Sequence, residues 1–226
     1  MKLLDHIIGV FDDSQYGKHE SALLHACIAV DATAKRLYPS TAGVKDRFIG
    51  CIRDYYWLVE PMVGVGINLV ETTFENLGPP MFRTAPDLAE VIYYVHRCGH
   101  AHGDEIPIAF ATRPTIGPVG SEWLLGPNIL QMPHRIIWAL ASIAVFSRVN
   151  DGLRGSGGDR YLTWAKERYP IAEWWGREKD IRPIAAGWNT IRVKFDKLAA
   201  LRMADPATGG MEFVLIGDPM QDRVTA

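Results

Sequence analysis

The run Ile136-Ile137-Trp138-Ala139-Leu140-Ala141-Ser142-Ile143-Ala144-Val145-Phe146 has no charged residue and no polar face on any helical projection. A helix that is apolar all round must be surrounded by other elements, because one amphipathic contact cannot cover it. It falls well short of the roughly 20 residues that a membrane span needs. The sequence therefore predicts a buried helix over Ile136 to Val149, opened by Pro133, ended by Asn150-Asp151-Gly152, and lying at the centre of a bundle. The rest of the chain has to supply its cover.

Several stretches are suited to that task. From Tyr16 to Tyr38, Leu23, Cys27, Val30, Ala34 and Leu37 recur every three or four positions, which sets them on one helical face. Phe48, Ile52, Tyr55 and Val59 do the same in a helix predicted from Val44 to about Val59 and closed by Pro61. A third helix is expected after Thr84 as cap, with Pro86 in its first turn, Asp87 three residues beyond the cap, and Leu88, Val91, Ile92 and Val95 as its inner stripe. Alternation around Ile106, Ile108 and Phe110, and two apolar pieces on either side of Gly126-Pro127-Asn128, predict short strands. Asp159 is expected to cap a helix through Arg168, and Ile191 to Phe195 and Phe213 to Ile216 to form strands. The segment Val63 to Pro80, punctuated by glycine and proline, is left without an element. The predicted fold is mainly α, with a small β insert within residues 1–150 and a strand-containing C-terminal extension, residues 151–226, packed on the same domain.

Composition narrows the partners. A formal charge of −2 over 226 residues gives no overall basic field, so any nucleic-acid contact must be local. Three cysteines do not make a disulfide framework, and Asp12 and Asp13 interrupt the N-terminus before an apolar stretch develops; together these point to the cytoplasm. The glycine-rich loop Arg154 to Gly158 lacks both dinucleotide and phosphate-loop order and reads as a flexible connector. Ser121 has no nucleophile-elbow context. Trp164, Trp174, Trp175 and Trp188 interleave with Arg160, Lys166, Arg168 and Arg177, for which packing is the commoner fate.

The chemistry concentrates in His96-Arg97-Cys98-Gly99-His100-Ala101-His102. Four donors at every second position suit a metal on a strand, but on an α-helix successive members are about 200° apart. A metal site built on His96 to His102 remains an alternative, without a second cluster to complete it, and no cofactor is expected. Arg97 and His102 form a more economical pair. A guanidinium neutralises charge developing on phosphate, and an imidazole moves a proton near neutral pH, which suffices for attack of a ribose 2′-OH on the adjacent phosphorus. As a structural alternative, Arg97 would pair with Glu90 or Asp104 and His102 would cap the helix. Of Tyr93 and Tyr94, one is expected inward and one toward the cleft.

Arg97-x-x-x-x-His102, near the end of a helix, resembles the Arg-x4-6-His motif of the HEPN superfamily (higher eukaryote and prokaryote nucleotide-binding domains). An earlier helix of the type Ala22-Leu23-Leu24-His25-Ala26-Cys27-Ile28-Ala29-Val30-Asp31-Ala32, a strand-like insert, a proline-initiated apolar helix and Val149-Asn150 extend the resemblance over Tyr16 to Asn150. The residue after the arginine, commonly polar in active members, is Cys98 here. The resemblance implies a HEPN-like helical bundle that forms a homodimer, two motifs meeting in one cleft. It implies a metal-independent endoribonuclease with Arg97 and His102 catalytic and His96 and His100 as candidate substrate-binding neighbours, in a toxin or phage-defence role with an antitoxin or other protein partner. A non-catalytic module binding RNA, nucleotide or protein through the same cleft is the alternative it carries.

Overall fold

A computed structural model describes residues 2–40, 43–63, 67–99, 103, 105–114, 121–164, 167–188 and 211–215. At its centre is α6 (Arg135–Phe146), in which every residue from Ile136 to Phe146 except Trp138 is buried. Each Ile, Leu, Val or Phe enclosed in this way contributes about 1.5–3 kcal/mol relative to exposure, which is why a helix with no polar face is stable here.

The cover comes from α1 (Leu3–Gln15), α2 (His19–Leu37), α3 (Val44–Asp54) and α4 (Tyr56–Val63). Helix α2 packs against α1, α3 and α6, while α4 lies on α6. The predicted inner face of α2 is buried at Leu23, Cys27, Val30 and Ala34. Helix α1 is not among the predicted elements, although Leu3, Ile7 and Val10 carry the same spacing and are buried. Its start is fixed by the Asp5 carboxylate, which accepts a 2.7 Å hydrogen bond from the Lys2 backbone N–H.

The single helix expected over Val44 to Val59 is instead α3 and α4, broken at Tyr55. The Tyr55 hydroxyl stands 2.7 Å from both Ser147 Oγ and Glu178 Oε2, donating to the carboxylate and accepting from the serine. A buried phenol requires such partners, and its reach toward them fits the bend there. Pro61 falls inside α4, which ends two residues later.

The next helix starts three residues beyond the predicted Thr84. Asp87 is its cap: its carboxylate accepts from the Glu90 N–H at 2.9 Å, and Glu90 Oε2 accepts from the Asp87 N–H at 3.1 Å. Arg53 Nε, 2.6 Å from Asp87, ties the cap to α3. After one α-helical turn, α5 (Leu88–Val91), the chain winds on as a π-helix over Ile92–Cys98. Its N–H groups reach back five residues, a geometry frequent at functional sites.

Of the predicted strands, Ile108–Phe110 is a 3-10 turn with Ile108 83% exposed, since Pro107 removes a ladder donor at its start. The hairpin across Pro127-Asn128 is real: β1 (Ser121–Gly126) pairs antiparallel with β2 (Ile129–Gln131), with Leu125 opposite Leu130. Asn128 has φ +55, as the third position of a proline-led turn requires. Asn76 Nδ2 donates to the carbonyls of Gly126 and Ile129, clasping the turn from a segment the sequence left without an element.

The helix expected from Asp159 to Arg168 is instead a hairpin of β3 (Tyr161–Trp164) and β4 (Glu167–Pro170). Leu162 and Tyr169 are buried while Tyr161, Thr163 and Arg168 are exposed, and alternation of this kind is a strand pattern. Two further helices follow, α7 (Ile171–Trp174) and α8 (Glu178–Trp188). The 3-10 stretch Arg148–Leu153 takes the place of the predicted last turn of the central helix. Strand β5 (Met211–Leu215) pairs antiparallel with β1, giving the order β2-β1-β5. The strand expected at Ile191 to Phe195 lies outside the described residues. The architecture is mainly helical with short antiparallel sheets, as predicted.

The glycines expected to make a loose connector serve a different end. Gly155, Gly157 and Gly158 all hold positive φ, and the Gly155 N–H donates to the Ala172 carbonyl at 2.7 Å. Trp175, wholly buried, donates from its ring to the Ser156 carbonyl. The loop therefore has a defined shape, for which left-handed backbone is needed.

Candidate functional site

Arg97 is near the end of the π-helix and reaches across to α2. Its Nη2 donates to Asp31 Oδ2 at 3.1 Å, and the two side chains are 26% and 22% exposed. The other carboxylate oxygen, Oδ1, lies 3.5 Å from Nη2 of Arg47 on α3, whose side chain is 17% exposed. Three elements thus meet in an arginine, carboxylate, arginine arrangement. Burial alone would lower the Arg97 pKa, but Asp31, with help from Cys98, outweighs it and holds the guanidinium charged. Of the two partners considered from sequence, Glu90 lies 3.6 Å from Arg53 instead, and Asp104 lies outside the described residues.

Aromatic rings complete the surroundings. Tyr93 packs against Phe48 of α3, with the Arg97 guanidinium 5.8 Å from its ring centre. Tyr94 is 41% exposed, meets Tyr93 edge-on, and carries the Lys45 ammonium 4.9 Å from its centroid. Tyr93 is the more inward of the two tyrosines and Tyr94 the more exposed. Beneath them Cys27 is buried, and that burial pushes its thiol up to about 12, so it stays protonated.

The four residues singled out from sequence fare differently. Arg97 stands at the surface as described. His96 is only 1% exposed and belongs to the buried face of the π-helix, beneath the site. His100 and His102 lie outside the described residues. Among the described residues, no group of three or more His, Cys, Asp or Glu side chains is placed to hold a metal ion, and no helix is long and apolar enough to cross a membrane.

The model of the Rv1289 family matches residues 2–200, most of the chain. The chain belongs to the Rv1289 family. An uncharacterised protein of Mycobacterium tuberculosis (strain ATCC 25618 / H37Rv), which bears that name, is 33% identical over 168 residues, or 72% of this chain and 78% of its own length. The uncharacterised protein Mb1320 of Mycobacterium bovis matches with the same identity and coverage. No solved structure matches.

Sequence reasoning missed Asp31 and Arg47 as the neighbours of Arg97. A signal was present for the first. Asp31 follows Cys27 by four positions, so a carboxylate flanks the buried stripe of α2, where it requires a cation. Arg47 offered nothing comparable, because its partner lies on another helix. A second polar cluster joins α1 and α2: His6 and His25 approach at 3.1 Å through their Nδ1 atoms, and His25 Nε2 lies 3.6 Å from Asp13.

Proposed function

We propose that this chain is a metal-independent endoribonuclease in which Arg97 holds and neutralises the scissile phosphate and His102 transfers the proton. The observation that supports this most is the placement of Arg97. It is paired with Asp31, its side chain is partly open to solvent, and its neighbour ring Tyr93 meets the exposed Tyr94, over which the Lys45 ammonium sits.

In the reaction the ribose 2′-oxygen forms a bond to phosphorus and the bond to the 5′-oxygen breaks, leaving a 2′,3′-cyclic phosphate and a 5′-hydroxyl. His102 accepts the 2′ proton or delivers one to the departing oxygen. Arg97 stabilises the extra negative charge of the phosphorane between them. A single histidine serves one of the two proton transfers, and a second copy of the motif in a homodimer supplies the other. The setting is cytoplasmic, with an antitoxin or other protein as a candidate partner.

Incubation of the purified protein with single-stranded RNA in excess EDTA tests this reading. Wild-type protein is expected to release cyclic-phosphate ends, and Arg97→Ala and His102→Ala to lose about 10²–10⁴-fold in rate. A 2′-deoxy oligonucleotide should remain intact. RNA that binds but stays whole would make the cleft a binding module, and cleavage unchanged in both variants would remove the pair from the chemistry.

A further inference from the structure

Asp31 Oδ1 and Arg47 Nε are both shut off from solvent, and neither has a hydrogen-bond partner among the described residues. They are neighbours of opposite charge. The contact between their side chains runs through Nη2 at 3.5 Å, beyond a good hydrogen bond, while Asp31 Oδ2 is engaged with Arg97 at 3.1 Å. A guanidinium receives a carboxylate best side-on, through two parallel N–H groups. Arg47 therefore holds an unused place for a carboxylate that is at present turned toward Arg97.

We infer that Asp31 is a carboxylate passed between two arginines: a phosphodiester entering the site takes Arg97, and Asp31 turns onto Arg47. This rests on the reading that Arg97 receives phosphate. A phosphate approaching Arg97 has to displace Asp31, and a partly buried carboxylate left without its cation would oppose binding strongly. Arg47 removes that opposition, because its Nε–H is satisfied in the same movement. Arg47 is thus a positioning residue, whose Nε is closed to solvent and out of reach of the nucleic acid itself.

The probe is a single-stranded deoxyoligonucleotide, which lacks the 2′-OH and cannot be cleaved by this chemistry. It is titrated in EDTA into protein carrying ¹⁵N-labelled arginine. On saturation the Arg47 Nε–H resonance is expected to move downfield and to exchange more slowly with water, and Asp31→Asn to abolish that change. Arg47→Lys, which keeps the charge but offers no side-on pair, should bind about tenfold more weakly. The inference is overturned if the Arg47 signal is unaltered at saturation, if Arg47→Lys binds as tightly as wild type, or if the wild-type protein does not bind the probe. Should the Arg47 signal move while RNA is never cleaved, the catalytic reading falls and the hand-over stands. Should cleavage depend on Arg97 while the Arg47 signal stays fixed, the hand-over falls and the catalytic reading stands.

Discussion

At the residue scale, two buried polar side chains illustrate opposite conditions. Asn150 is fully enclosed and fully used: its Oδ1 accepts from Arg36 at 2.9 Å, and its Nδ2 donates to Thr33 Oγ1 at 3.0 Å and to the Ala144 carbonyl at 2.7 Å. It joins α2 to the end of α6. Asn150→Ala removes three hydrogen bonds at once and leaves the Ala144 carbonyl without the amide, although Thr33 keeps its bond to the Ala29 carbonyl, so a loss of about 2–3 kcal/mol is expected in urea unfolding. A loss under about 0.5 kcal/mol would mean that water replaces the amide. Asp31 is the contrasting case, one oxygen bonded and one not, and an incomplete arrangement at a charged group is compatible with a second position for it.

At the element scale, α2, α5 and α6 were legible though their ends were not, while α1, α7 and α8 went unread. The stripes at Leu23 to Ala34 and Leu88 to Val95 could be read because burial follows helical periodicity along one segment. The break at Tyr55 could not, since its cause is a hydroxyl reaching Ser147 and Glu178, residues remote in the chain. Residues 159–170 misled for a related reason: a helix-capping aspartate precedes residues that are equally good in a strand, and only tertiary burial of Leu162 and Tyr169 decides between them. The same limit applied to the site, where Arg97 was visible as a motif and Arg47 became visible only through folding. Two glycines between elements separate conformation from crowding. Gly155 and Gly176 both have positive φ, but a Cβ at Gly155 meets nothing within 4 Å, whereas at Gly176 it strikes the Asp151 backbone. Thermal and chemical unfolding of Gly155→Ala should therefore show a loss of about 1 kcal/mol from backbone strain alone, and Gly176→Ala a clearly larger one. Equal losses would show that Asp151 can retreat.

At the scale of the whole molecule, two histidines make stability depend on pH. Burial, then His25 and the N-terminus, lower the His6 pKa against a smaller opposing effect of Asp5; burial and His19 lower that of His134, against its bond to the Thr112 carbonyl. Both are held neutral in the fold and protonate more readily in the unfolded chain. Their contribution is complete above the ordinary value of 6.5 and is lost as pH falls below it through their depressed values. The melting temperature should accordingly decline as pH falls from about 6.5, and His6→Gln should flatten part of that decline. A profile that is level below that pH would contradict the account. The Asn150 clasp has a consequence in time as well as in energy. Its partners Arg36 and Thr33 stand 114 and 117 positions away, so its bonds close only after the helices between them have found one another. Such a clasp has little part in starting the fold and much in keeping it shut, so the amide governs how long the native molecule persists more than how quickly it is reached.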